Sequence, residues 1–175
     1  RINYMTAVTE VDGELVEILD VERILNEISP VSTEVSTELV EASVERNPHG
    51  RPVLVADDSS VARKQVQRAL EAIGVQCVLA KDGREALNML LEMSKNGPIH
   101  DQIALVISDI EMPEMDGYTF TAEIRNNPNL KDLHVILHTS LSGVFNQAMV
   151  QKVGANNFIA KFQPDELAKA VQGAL

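Results

Sequence analysis

The chain has a single cysteine, Cys77, in 175 residues. No internal disulfide can form, and a reducing compartment fits. Cys77 lies in the apolar run Val75–Leu79, which predicts a packed strand thiol rather than a reactive one. Positive charge is scarce as well. Fifteen Lys and Arg stand against 26 Asp and Glu, for a formal net charge of −11. Electrostatic nucleic-acid binding needs clustered cations, so this balance argues against nucleic acid as a partner. It also disfavours an anionic membrane surface. No apolar run nears the ~20 residues of a spanning helix, and no signal peptide is visible. The expectation is a cytoplasmic chain with no direct membrane insertion. What remains is ordinary for a globular protein: 45% hydrophobic and 23% charged residues.

Against these absences, one stretch organises the chain: Ile103 to Gly117, IALVISDIEMPEMDG. Its five opening apolar residues predict a buried strand of a parallel sheet, since such strands are apolar on both faces. Asp109 then falls near the carboxyl end of that strand, where open α/β sheets place their ligand crevice. Three other short runs end in polar residues. Pro52–Ala56 ends in Asp57 and Asp58, Leu133–His138 in Thr139 and Ser140, and Asn157–Ala160 in Lys161. With 75–79 these make five predicted strands, at 52–56, 75–79, 103–107, 133–138 and 157–160. They alternate with predicted helices at 59–73, 83–92, 117–125, 143–152 and 164–174. That alternation predicts a doubly wound α/β fold with a five-stranded parallel sheet. In the flavodoxin-like order 2-1-3-4-5, strands one and three lie side by side at the switch point, which would set Asp57 and Asp58 next to Asp109. Residues 93–102 exceed what the unit needs and read as a surface loop.

Three carboxylates in one crevice repel one another, by about 4 kcal/mol for a pair 4 Å apart at an effective dielectric of 20. A bound cation or a shared proton would sustain them. An all-oxygen set that also takes phosphate favours Mg²⁺. Two loop acids capping the helix at Ser59 would explain Asp57 and Asp58 alone, but not Asp109, Thr139 and Lys161 at the same edge. None of the four histidines, His49, His100, His134 and His138, shows metal-ligand spacing, and His138 reads as a strand-end residue.

The DIEMPEMDG stretch, the Asp57-Asp58 pair, Thr139 and Lys161, in that register, resemble a response-regulator receiver domain, the phosphoacceptor of bacterial two-component signalling. The resemblance implies that Asp109 accepts a phosphoryl group from a histidine kinase. Asp58 and Asp109 would ligate Mg²⁺ directly, with the backbone carbonyl of Glu111, and Asp57 would act through water. Lys161 and Thr139 would each contact a phosphoryl oxygen, and Thr139 with Phe158 would form the switch. The output surface would be helix 143–152, strand 157–160 and helix 164–174. Such a chain would not be an enzyme with an external substrate. Two departures stand out: Phe162 follows Lys161 where the family has proline, and Glu111 and Leu141 occupy positions that tune dephosphorylation.

Residues 1–28 carry a different signal. Tyr4–Val11 and Leu15–Leu19 flank Asp12-Gly13, a strong hairpin turn. Asp20 can cap a short helix in which Val21, Ile24, Leu25 and Ile28 share one face. A unit under ~40 residues rarely buries a core alone. NYMTAVTEVDGELVEILDVERIL resembles the C-terminal end of a CheW-type coupling domain. Joined to a receiver, it resembles the CheV-type family of chemotaxis coupling proteins. That implies chemoreceptors and a chemotaxis histidine kinase as partners, and a chain beginning at Arg1 would be a C-terminal fragment. The domains would be 1–28, a truncated hairpin and helix; 29–50, a linker with Val31, Val35 and Leu39 on one helical face; and 51–175, the receiver. Two competing readings are a receiver-like scaffold without phosphorylation and an Mg²⁺-dependent phosphatase of the haloacid-dehalogenase class. The latter carries its nucleophile in a DxD motif after the first strand, unlike this chain.

Overall fold

The structure is a computed structural model that describes residues 5–11, 13–19, 24, 47, 49–139, 144–161 and 163–175. The chain divides into two compact units, Arg1–Ser32 and Thr33–Leu175. In the first, β1 (Met5–Val11) pairs antiparallel with β2 (Glu14–Leu19), Val11 opposite Glu14. Gly13 has φ +82°, the conformation this two-residue turn needs. Asp12, the expected helix cap Asp20, and Val21, Leu25 and Ile28 lie outside the described residues, as does the expected linker from 29 to 46. Ile24 is helical.

In the second unit, five strands form one parallel sheet: β3 (Val53–Ala56), β4 (Cys77–Ala80), β5 (Val106–Ser108), β6 (Val135–Thr139) and β7 (Asn157–Ala160). Their order is β4-β3-β5-β6-β7, the expected flavodoxin-like 2-1-3-4-5. Five helices alternate with them: α1 (Ser60–Ala72), α2 (Gly83–Lys95), α3 (Gly117–Asn126), α4 (Val144–Val153) and α5 (Pro164–Ala174). Ser59, Asp82 and Asp116 cap α1, α2 and α3, each accepting an N–H of the first turn.

Strand alternation divides the core between the two faces. Val53, Val55, Ile107, Ile136 and Ile159 pack with Val66, Leu70, Leu167 and Val171 of α1 and α5. Leu54, Ala56, Val106 and Val135 pack with Ala86, Leu90, Phe120 and Ile124 of α2 and α3. Both faces are covered, which is why the strands read as continuous apolar runs. Among the described residues, no helix is long and apolar enough to cross a membrane.

The predicted strand limits need correction. β4, β5 and β6 begin at 77, 106 and 135 rather than 75, 103 and 133, and they end later, at Ala80, Ser108 and Thr139. Hydrophobicity marks burial, not hydrogen bonding: Ile103 and Leu105 are fully buried just outside the regular ladder. Conversely, Ser108 and Thr139 belong to their strands and are fully buried despite their hydroxyls. The stretch 93–102 is also more than a surface loop. α2 continues to Lys95, Ile99 is buried, and the Gln102 amide donates to the carbonyls of Met93 and Gly97 at 2.9 and 3.1 Å. The His100 carbonyl accepts from Arg51 Nη1 at 2.7 Å, and both ends of the Asn47 amide pair with the Arg51 backbone. This insertion therefore fixes the point where the chain enters the sheet.

Candidate functional site

The site is built on neighbouring strands. Asp109 N–H donates to the Ala56 carbonyl at 2.8 Å, and Asp57 N–H to that of Ala80 at 3.2 Å. The first bond holds the ends of β3 and β5 together and the second ties β3 to β4, so Asp57, Asp58 and Asp109 each place a carboxylate oxygen within 4.8 Å of the others. Among the described residues this is the one cluster able to hold a metal ion. Asp57 and Asp109 are buried and Asp58 is exposed. Lys161 N–H donates to the Thr139 carbonyl at 2.8 Å, which brings the ends of β6 and β7 to the same edge.

Lys161 Nζ lies 3.0 Å from Asp57 Oδ2 and 3.0 Å from Asp109 Oδ2, with all three side chains buried. It donates a hydrogen bond to Asp109. Its contact with Asp57 is an ion pair poorly aligned for one, so the buried Asp57 Oδ2 has a charge partner without a well-directed donor. The other oxygen of each acid is fixed by backbone: Asp57 Oδ1 accepts from Ser59 N–H at 2.8 Å, and Asp109 Oδ1 from Ile110 N–H at 2.7 Å. The Glu111 N–H also bonds to Asp109. These bonds turn each Oδ2 toward the crevice.

The loop 109–117 closes on itself through Gly117 N–H, which donates to the Ile110 carbonyl at 2.9 Å. Within it the Met115 N–H bonds to the Pro113 carbonyl at 2.6 Å across Glu114, whose φ is +62°. Thr139 is fully buried at the strand end. Phe158 is half-buried in a small cluster with Ile110, Leu137, Val150 and Tyr118. Glu111 is exposed and, apart from its N–H, outside the carboxylate cluster. Ser140, Leu141 and Phe162 lie outside the described residues. His138 is buried in β6, and burial with the nearby Lys161 pushes its imidazole down to about 3, so the ring is neutral. Burial likewise pushes the Cys77 thiol up to about 12, as expected of a packed cysteine. Sequence reasoning missed Arg63, whose Nη1 donates to the carbonyls of Asp57 and Asp58 at 2.5 and 3.1 Å. Its place one turn after the acid pair was the available signal.

Burial is the largest influence on Asp57. It pushes the carboxyl from 3.8 up to about 6, with Lys161 opposing and Asp109 adding to the rise. Asp109 is raised for the same reason, against Lys161 and two N–H donors. Between about pH 4 and 6 the folded chain thus holds a proton at Asp57 that the unfolded chain has released. The stabilisation is complete below about pH 4 and is lost as pH rises through about 6. An Asp57→Asn variant of the metal-free protein is therefore expected to be more stable than wild type above pH 6, by ~1–3 kcal/mol. The gain disappears below pH 4. Scanning calorimetry across that range checks it, and a gain that grows toward acid pH contradicts it.

The cluster fits a hard cation. Its donors are all oxygen, one buried oxygen lacks a directed donor, and its acids ionise reluctantly without added positive charge.

Comparison with known proteins agrees with this geometry. The family model for the response regulator receiver domain matches residues 53–172. The chain is similar to chemotaxis protein CheV1 of Helicobacter pylori, 29% identical over 162 residues that cover 92% of this chain and 49% of CheV1. It thus spans about half the length of that relative. It is also similar to protein PilG of Pseudomonas aeruginosa, 32% identical over 130 residues, 74% of this chain and 90% of PilG. Among solved structures, chemotaxis protein CheY4 of Vibrio cholerae aligns with a TM-score of 0.61 at 29% identity, covering 71% of this chain and 98% of CheY4. A family match of this extent, on a sheet of this order, means that the chain belongs to the response regulator receiver domain family.

Proposed function

We propose that Asp109 accepts a phosphoryl group from a phosphohistidine of a chemotaxis-type histidine kinase, and that the receiver is the phosphorylatable part of a signalling adaptor. The observation that carries this reading is the Lys161 ammonium, shared at 3.0 Å between Asp57 and Asp109 at the carboxyl edge of the sheet. An ammonium held there is ready to pair with an incoming phosphoryl oxygen.

Asp109 Oδ2 attacks phosphorus. The new P–O bond forms as the P–N bond of the phosphohistidine breaks, and that electron pair leaves with the imidazole. Asp109 Oδ1 stays anchored to the Ile110 N–H. Lys161 transfers from its carboxylate partners to a phosphoryl oxygen, and the Thr139 hydroxyl donates to another. Each hydrogen bond to a charged group contributes roughly 1.5–3 kcal/mol, and moving a switch from 1:99 to 99:1 needs about 5.5 kcal/mol. Thr139's inward turn opens space for Phe158. Asp58, Asp109 and the Glu111 carbonyl would hold Mg²⁺ directly, with Asp57 through water. When bound, the ion supplies charge neutralisation at the transferring oxygens.

Residues 1–28 are read as the end of a CheW-like coupling domain, 29–50 as a linker and 51–175 as the receiver. Supporting this are the hairpin with its exposed Val8, Val11, Leu15 and Val16, suited to a larger β domain, and the likeness to CheV1 over 162 residues. Partners are then chemoreceptors and the kinase, and the chain turns over no external substrate.

Beryllium fluoride, a tetrahedral stand-in for a phosphoryl group on a carboxylate, tests the site by amide NMR. With Mg²⁺ present, shifts are expected at Asp109, Thr139, Phe158 and Lys161, and none in an Asp109→Asn variant. Unchanged spectra in the wild type would refute the reading.

A further inference from the structure

We infer that Arg63 is a positioning residue for the acid pair, its guanidinium holding the Asp57–Asp58 turn so that both carboxylates face the cation site; this rests on the metal-dependent reading above. Arg63 lies in the first turn of α1 and is half-buried. A single nitrogen, Nη1, reaches back to the carbonyl of Asp57 at 2.5 Å and that of Asp58 at 3.1 Å. Both carbonyls precede the capping residue Ser59, on the one segment that carries two of the three clustered acids.

The two acids depend on this clasp unequally. Asp57 is fixed through its own side chain, by the Ser59 N–H and by Lys161. Asp58 is exposed, and its carboxylate accepts no hydrogen bond among the described residues. Its aim therefore follows the backbone beneath it, which Arg63 restrains from behind. Mutual repulsion among three carboxylates would otherwise splay this turn whenever no cation is bound. Groups that orient metal ligands in this way act on affinity although they never touch the metal.

The direction of the effect separates positioning from simple proximity. A guanidinium that acted only as a nearby positive charge would repel a divalent cation, so deleting it would tighten binding. A guanidinium that aims Asp58 does the opposite. The test titrates Mg²⁺ alone into the whole chain at fixed ionic strength. Amide NMR shifts report binding, since there is no tryptophan to do so. Wild type, Arg63→Ala and Arg63→Lys are compared, with thermal melting of each. Arg63→Ala is expected to bind Mg²⁺ about tenfold more weakly. Arg63→Lys, which keeps the charge and one reaching donor, falls between. Equal or tighter binding by folded Arg63→Ala overturns the inference. Should that variant fail to fold, Arg63→Lys decides, and wild-type affinity in it overturns the inference too. A wild type that binds no Mg²⁺ would instead refute the underlying metal reading.

Discussion

Replacing Lys161 with methionine is expected to lower the stability of the metal-free protein at pH 7.5 by about 3–5 kcal/mol, the usual cost of deleting one partner of a buried ion pair. Methionine keeps an unbranched apolar stem, so the loss comes mainly from the charge. Asp57 and Asp109 are 2% and 4% exposed, and without the ammonium they face each other unscreened. Lys161 is also what holds both acids down against burial. Removing it moves Asp57 above its present value of about 6. The sign follows. A folded-state carboxyl raised above its unfolded value loses stability as pH rises through it, so the variant falls off more steeply between pH 5 and 8. Near pH 4 Asp57 is protonated in both proteins, and its share of the difference shrinks. Mg²⁺ restores part of the loss at pH 7.5, because a ligand bound only by the folded state stabilises it by mass action. Urea midpoints at both pH values, with and without Mg²⁺, check this. Equal stability of the two proteins at pH 7.5 contradicts it.

Gly117→Ala is expected to cost about 3 kcal/mol or more, beyond the common range for an added methyl in a packed core. A Cβ at this position would be driven into the Asp109 backbone carbonyl, with the Asp109 carbonyl carbon and Ile110 Cα each only 3.0 Å away. These are backbone atoms of the proposed phosphoacceptor segment and cannot rotate aside. Relief requires moving Asp109 or the start of α3, so Mg²⁺ binding falls together with stability. Gly173→Ala is the control: nothing lies within 4 Å of its Cβ, and alanine favours a helix over glycine. Unfolding midpoints of both variants test the contrast. A Gly117→Ala protein as stable as Gly173→Ala would mean that the loop yields freely.

The sheet was legible because parallel strands buried on both faces leave unbroken apolar runs and alternate with helices; the strand order comes from the flavodoxin-like pattern, not from the alternation itself. The site was legible because chemistry-bearing residues stand at strand ends, where sequence position converts directly into spatial position. Strand limits were less so. Ile103 is buried like a strand residue without being in the ladder, whereas Ser108 is in the ladder without being apolar. Arg63 escaped notice because a cation on an amphipathic helix looks like any solvated charge until its reach back to two carbonyls is seen. Gly117 was visible as part of a motif, but the close approach of the Asp109 carbonyl is a tertiary fact. Likewise, residues 93–102 have no periodic signal, and only Ile99's burial and the bond from Arg51 to His100 reveal their role.

The most direct test of the central claim is the intact mass of the chain after incubation with Mg²⁺ and a small acyl phosphate, beside an Asp109→Asn variant. A single labile phosphoryl adduct on the wild type, absent from the variant and absent when Mg²⁺ is chelated, is the predicted result. No adduct on a wild type shown separately to bind Mg²⁺, or equal adducts on both proteins, would contradict the assignment of the chemistry to Asp109.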